Sequence, residues 1–148
     1  MESRLTATWA ADDNQEHPIF ATTEDWNNGG LRIRKGAAGS GNAFQVLIRD
    51  TGQISAGITE VASANVPFTP NTWVQIKVTW DFTVASGTQN TRIYFNGTEA
   101  TYSGTSTGPV SMPPAVTTEE IYIGGWNNMD SLAADGDFDE FCMWMSVI

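Results

Sequence analysis

The chain has 148 residues, with 7 Lys and Arg against 17 Asp and Glu and a formal net charge of -10. That length fits one domain with a core of its own. The charge argues against a free-standing nucleic-acid binder or a ligand of anionic membrane surfaces, since both need clustered Lys and Arg. Aromatic residues make up 11 % of the chain, including 6 Trp, and charged residues only 16 %. With abundant Gly, Ser, Thr and Asn, this suits many strands joined by polar turns. No apolar run approaches the roughly 20 residues that span a bilayer, so no membrane insertion is expected. No secretory leader is read after Met1, because residues 2–18 are mostly polar. The single cysteine, Cys142, rules out a disulfide within the chain and is expected to be buried in an apolar strand.

Period-two alternation recurs along the chain. In "RLTATWA", Leu5, Ala7 and Trp9 share one face, opposite Arg4, Thr6 and Thr8. "GGLRIRKG" sets Leu31 and Ile33 against Arg32 and Arg34, and "AFQVLIRD" sets Phe44, Val46 and Ile48 against Gln45, Leu47 and Arg49. "WVQIKVTWDF" is the longest, with Val74, Ile76, Val78, Trp80 and Phe82 opposite Gln75, Lys77 and Thr79. "TRIYFNGTEATY" reads as a hairpin turning at Asn96-Gly97, since both central residues of a type I′ turn need positive φ. "EEIYIGGW" and "DFDEFCMWM" supply two more strands. No window has a helical period. About ten strands and essentially no helix are expected, forming an all-β sandwich or jelly roll of two antiparallel sheets. Residues 1–148 make one domain in this reading.

The second half also carries a resemblance. Over residues 73–144, "WVQIKVTWD", "RIYFNGTE", "IYIGGW" and "GDFDEFCMW" follow one another. They give a Trp-led strand ending in an aromatic and Asp, an Asn-Gly hairpin, an Ile-Gly-Gly strand, and a closing Gly-x-apolar-Asp-Glu strand with a later Trp. This order resembles the laminin-G-like, concanavalin A-like lectin/glucanase jelly-roll superfamily. The first half fits more loosely through "TWAADDNQEHPIF", and the family's usual opening strand is not seen before "RLTATW". The resemblance implies a non-catalytic carbohydrate-binding (lectin-like) or adhesion module, with a glycan or polysaccharide as partner and an extracellular, cell-surface or virion-associated location. It also implies two competing classes: a polysaccharide-cleaving enzyme of glucanase or lyase type, and a structural domain of a virion or surface fibre. The apolar ending "FCMWMSVI" favours the last, because it offers a strand for self-association.

Individual residues divide these classes, since fold alone does not. Related glucanases carry alternating carboxylates on one strand. "DGDFDEF" places Asp135, Asp137 and Asp139 at alternate positions, with neighbours roughly 6.5 to 7 Å apart along a regular strand, near the spacing used in glycoside hydrolysis. All three are Asp, however, where the glucanase pattern has Glu, so no catalytic residue is assigned. His17, the only histidine, is expected to be an ordinary loop residue before Pro18. No cofactor is required by this reading. Several relatives bind calcium at a sheet edge, and Asp12, Asp13, Asp137 and Asp139 are the oxygen ligands available for it.

Two features point to a ligand surface. Arg4, Arg32, Arg34, Arg49, Lys77 and Arg92 each fall opposite an apolar set. If their strands share a sheet, they line one face with cations, beside Tyr94, Gln45 and Gln75; paired with acids, they are instead ordinary surface positions. Arg34, Lys77, Arg92 and Tyr94 are the candidates for holding a glycan there. The second feature is a pair of loops, "EDWNNGG" and "GGWNNMD". A sugar presents apolar C–H faces and a rim of hydroxyls, so an aromatic platform with amides and carboxylates suits it. Trp126, Asn127, Asn128 and Asp130 are assigned to binding, while Trp26 is expected to cap one end of the sandwich. Trp73, Trp80 and Trp144 are expected in the core.

Overall fold

The computed structural model describes residues 2–7, 9–22, 30–49, 56–81, 91–103, 121–125 and 136–143. They form ten strands: β1 (Glu2–Ala7), β2 (His17–Ala21), β3 (Gly30–Lys35), β4 (Phe44–Arg49), β5 (Ala56–Val61), β6 (Trp73–Trp80), β7 (Thr91–Phe95), β8 (Thr98–Glu99), β9 (Tyr122–Ile123) and β10 (Gly136–Cys142). Two single turns of 3-10 helix, Ala38–Ser40 and Ser63–Asn65, are the only helical elements among the described residues. The strands make two five-stranded antiparallel sheets, a front sheet ordered β10-β1-β6-β7-β8 and a back sheet ordered β5-β4-β3-β2-β9. The chain crosses between sheets after β1, β5, β8 and β9, which gives the two-layer jelly roll that the alternation implies.

Alternation sets the two faces of each strand. In β6, Val74, Ile76 and Val78 are buried, while Trp73 and Lys77 are exposed. Across the sandwich stand Ile33, Phe44, Val46 and Val61 of the back sheet, each 0–1 % exposed. Aromatic rings bridge the layers: Phe44 meets Phe95 edge-on at 5.1 Å, and Phe68 meets Trp9 at 4.8 Å. Each such side chain contributes about 1.5–3 kcal/mol by leaving water, so this layer holds the sheets together. The Asn96-Gly97 turn has φ of 51° and 81°, as a type I′ hairpin requires. Asn96 also ties the turn to β6, its Oδ1 accepting the Gln75 N–H at 2.9 Å.

Irregularities in two strands account for two departures from the sequence reading. In β10, three residues span the register step that β1 covers in two, and Glu140 sits at φ 53°. The bulge lets both Phe138 and Phe141 pack against the core, three positions apart, with Phe141 on Phe20 at 5.3 Å. It also turns Cys142 outward, so the thiol expected to be buried is exposed. In β2, a shift between Pro18 and Phe20 buries Ile19 and Phe20 together. His17 opens this strand at 5 % exposure and is not a loop residue. Trp80 packs partly buried on the core as expected, whereas Trp73 is 42 % exposed on the outer face of the front sheet. The alternation itself puts Trp73 there, because it shares parity with Lys77 and not with Val74.

Candidate functional site

The outer face of the front sheet gathers Trp73, Gln75, Lys77 and Thr79 from β6, Arg92 and Tyr94 from β7, and Glu99 from β8. Strand register makes them neighbours: Lys77 pairs with Tyr94, Thr79 with Arg92, and Tyr94 with Glu99. The Lys77 Nζ lies 5.8 Å from the centre of the Tyr94 ring, a cation–π contact worth about 0.5–1 kcal/mol at such an exposed site. Arg92 donates to Glu99 at 3.1 Å. The charge of Glu99 and its hydrogen bond, with support from Tyr94, hold the Arg92 guanidinium above its ordinary value. Glu99 is itself fixed from behind. Tyr102 donates its hydroxyl proton to Glu99 at 3.1 Å and accepts the Ile93 N–H at 3.0 Å. Burial, helped by Glu99 and opposed by the Ile93 bond, pushes the Tyr102 hydroxyl up to about 12. The result is an exposed indole, a phenol and a braced guanidinium–carboxylate pair, which together offer apolar contact and both hydrogen-bonding polarities.

Arg34 is not part of this face. The cations do not share a sheet: β1, β6 and β7 carry Arg4, Lys77 and Arg92 in the front sheet, while β3 and β4 carry Arg32, Arg34 and Arg49 in the back sheet. On the back sheet's outer face, Arg34 donates to Gln45 at 2.7 Å and to Glu16 at 3.1 Å, and Gln45 in turn bonds Glu60. Of the assigned ligand residues, the fold thus brings together Lys77, Arg92 and Tyr94 and separates Arg34. Trp126, Asn127, Asn128 and Asp130 lie outside the described residues, as do Trp26, Asp135 and Trp144. Just past β9 in the back sheet, Gly124 has φ 75° and a Cβ there would stand 3.0 Å from Phe138. Only glycine suits both conditions there.

A second polar cluster lies at one end of the sandwich. Lys35, the last residue of β3, shares inward parity with Leu31 and Ile33, and its side chain is 0 % exposed. Its Nζ donates to Asp13 Oδ1, to the Gln15 carbonyl at 2.7 Å and to Asn42 Oδ1 at 3.2 Å. Asp13 Oδ2 accepts from His17 Nε2 at 2.6 Å, and the His17 ring stacks on Trp9 at 4.3 Å. Burial raises the Asp13 carboxyl, but hydrogen bonds from Lys35, His17 and the Gln15 N–H, with the charge of His17, outweigh it and hold the group below its usual value. Neither Lys35 nor this use of His17 was singled out from the sequence. Parity within "LRIRK" was the available signal, since it places Lys35 with Leu31 and Ile33.

The described carboxylates considered for chemistry or calcium lie on two separate elements, the turn before β2 and strand β10. Asp13 is held by Lys35 and His17, Asp12 is exposed in the same turn, and Asp137 and Asp139 are exposed on β10, in register with Thr6 and Arg4. Among the described residues, no group of three or more His, Cys, Asp or Glu is arranged to hold a metal ion.

Two antiparallel five-stranded layers with an aromatic and polar outer face define a lectin-type jelly roll. A laminin G family model, described as concanavalin A-like lectin/glucanases superfamily, matches residues 7–148, and the chain belongs to this superfamily. Searches of curated proteins and of solved structures give no match.

Proposed function

We propose that the chain is a non-catalytic carbohydrate-binding or adhesion module whose glycan lies across the outer face of the front sheet. The observation that supports this is the exposed Trp73 on one face with Lys77, Tyr94 and the Arg92–Glu99 pair. Trp73 and Lys77 are four residues apart on β6, about 13 Å at strand rise, a span suited to a short oligosaccharide. The indole and phenol would stack on sugar C–H faces, while Gln75, Thr79, Arg92 and Glu99 meet hydroxyls. Because Arg92 already has a carboxylate partner, the face favours a hydroxyl-rich glycan over a densely sulfated one. The segment "GGWNNMD", with Trp126, Asn127, Asn128 and Asp130, is a separate candidate.

A glycan array followed by titration of the best hit tests the reading. Binding should be lost in Trp73→Ala and Tyr94→Ala with melting temperature preserved. Binding that survives in both but disappears in Trp126→Ala would move the site to the loop. Reducing-sugar or unsaturated-uronide release from a polysaccharide panel would replace the proposal with a glycan-cleaving enzyme. An array with no hit from a self-associating chain would favour a structural domain.

A further inference from the structure

The cluster around Lys35 lies apart from the proposed glycan surface, and its chemistry is self-contained. Lys35 is fully enclosed, and its cross-strand partners are Phe44 and His17. Trp9 stacks on His17 and Phe68 packs on Trp9, so one flank of the cluster is aromatic. The two oxygens of Asp13 are divided, Oδ1 to the Lys35 ammonium and Oδ2 to His17 Nε2. The other imidazole nitrogen, Nδ1, is buried and makes no hydrogen bond among the described residues. The Gln15 carbonyl and Asn42 hold Nζ from its remaining sides and fix it against the carboxyl group.

We propose that Lys35 and Asp13 become joined by an intramolecular isopeptide bond after the domain folds. The Lys35 Nζ attacks the Asp13 carboxyl carbon, the N–C bond forms, and the bond from that carbon to Oδ2 breaks. An ammonium and a carboxylate together hold the atoms of one amide and one water, so no oxidant, activated carrier or other reactant is needed. Two protons leave Nζ. One passes to the carboxyl group within the pair. The second is relayed by His17, whose Nε2 proton goes to the departing oxygen and is replaced by the one the attacking nitrogen sheds, so the imidazole ends unchanged. The leaving water exits past Asp13, whose side chain is 22 % exposed.

Two physical effects drive the step. Fixing an amine against a carboxyl group gives effective molarities on the order of 10⁵–10⁸ M, which offsets the unfavourable loss of water into water. Each ion of a buried pair also carries a desolvation cost that the neutral amide lacks. The aromatic flank narrows the gap between the ion pair and the neutral amine and acid that react. The product ties the turn before β2 to the end of β3, 22 residues apart in the chain, and so restricts the unfolded chain as a disulfide would.

Intact mass spectrometry of the folded protein tests this directly. The expected mass is that of the sequence less one water. Trypsin should then fail to cut after Lys35 and should release a branched peptide joining residues 5–32 to residues 35–49. Asp13→Ala and Lys35→Met should restore the full sequence mass, and Asp13→Asn should lose ammonia in place of water. His17→Phe, which keeps a ring on Trp9, should leave a large unreacted fraction. A wild-type chain that is folded by near-ultraviolet circular dichroism yet retains its full mass after prolonged incubation overturns the proposal. So does a water loss that maps to any other pair of residues.

Discussion

Arg34 and Arg92 stand on opposite outer faces of the sandwich, each bonded at 3.1 Å to its own carboxylate, Glu16 behind and Glu99 in front. A ligand on one face therefore cannot be held by both. Arg92→Ala should weaken glycan binding about tenfold, while Arg34→Ala leaves it unchanged. Titration calorimetry at two salt concentrations checks the pair. Affinity should vary little with salt, because the arginine already has a counter-charge; a steep fall would return the cations to the leading role.

The Lys35 cluster predicts a large stability effect. Asp13→Ala removes any cross-link and also leaves a cation enclosed with no carboxylate, and breaking such a pair by itself costs about 3–5 kcal/mol. Lys35→Met should cost less, since it fills the same space and leaves only a partly exposed carboxylate unpaired. Urea midpoints at unchanged m-value measure both. Equal losses would show that the interaction is not dominated by the buried charge.

The bulge at Glu140 predicts the reactivity of the one thiol. Cys142 should react with a thiol reagent in the native protein at a rate that denaturant does not greatly raise. Deleting Glu140 removes the extra residue, so Phe138, Asp139, Phe141 and Cys142 alternate plainly, with Phe141 still inward and Cys142 still outward. That variant should keep the rapid labelling, whereas Phe141→Ala should cost about 3–5 kcal/mol, the usual cost of removing a core phenylalanine.

Tyr102 predicts behaviour at alkaline pH. Its hydroxyl is raised to about 12 in the folded chain, against about 10 for an ordinary tyrosine. The raised group contributes stability that is fully present below pH ~10 and is lost as pH climbs through the folded value. Ultraviolet titration should show one tyrosine displaced upward, and Tyr102→Phe should remove that step. An ordinary titration of all three tyrosines would contradict the Tyr102–Glu99 contact.

Much of the fold was legible because alternation and turn chemistry are local. The inner face of β6, the Asn96-Gly97 turn and the order of the closing strands could all be read from neighbouring residues. What failed were features set across the sandwich. The short strand "HPIFA" has no alternation, because its bulge buries adjacent residues, so β2 and the place of His17 were missed. In β5 the inward positions are Gly57, Thr59 and Val61 while Ile58 is 38 % exposed, which inverts the usual pattern. Lys77, Tyr94 and Arg92 fall on one sheet face, as their alternation implies, because β6 and β7 are sequential neighbours. Arg34 was misgrouped because the sheet a strand joins is decided by crossovers, which leave no mark on the strand itself. Trp73 was assigned to the core by residue type, although its own parity put it outside.

Strand β10 closes one edge of the front sheet among the described strands, and it carries Asp137, Asp139 and Glu140 at exposed positions. Two copies meeting along that edge at neutral pH would bring these acids face to face, which keeps the open backbone from recruiting a neighbour. The protection is only as durable as the charge. As the solution approaches the sequence pI of about 4.2, the net charge of the chain falls toward zero and copies cease to repel one another. Storage and crystallisation near that pH should favour filaments or precipitate over monomers. A scan of light scattering against pH should rise steeply there in the wild type, and a few tenths of a unit higher once Asp137 and Asp139 are replaced by Asn.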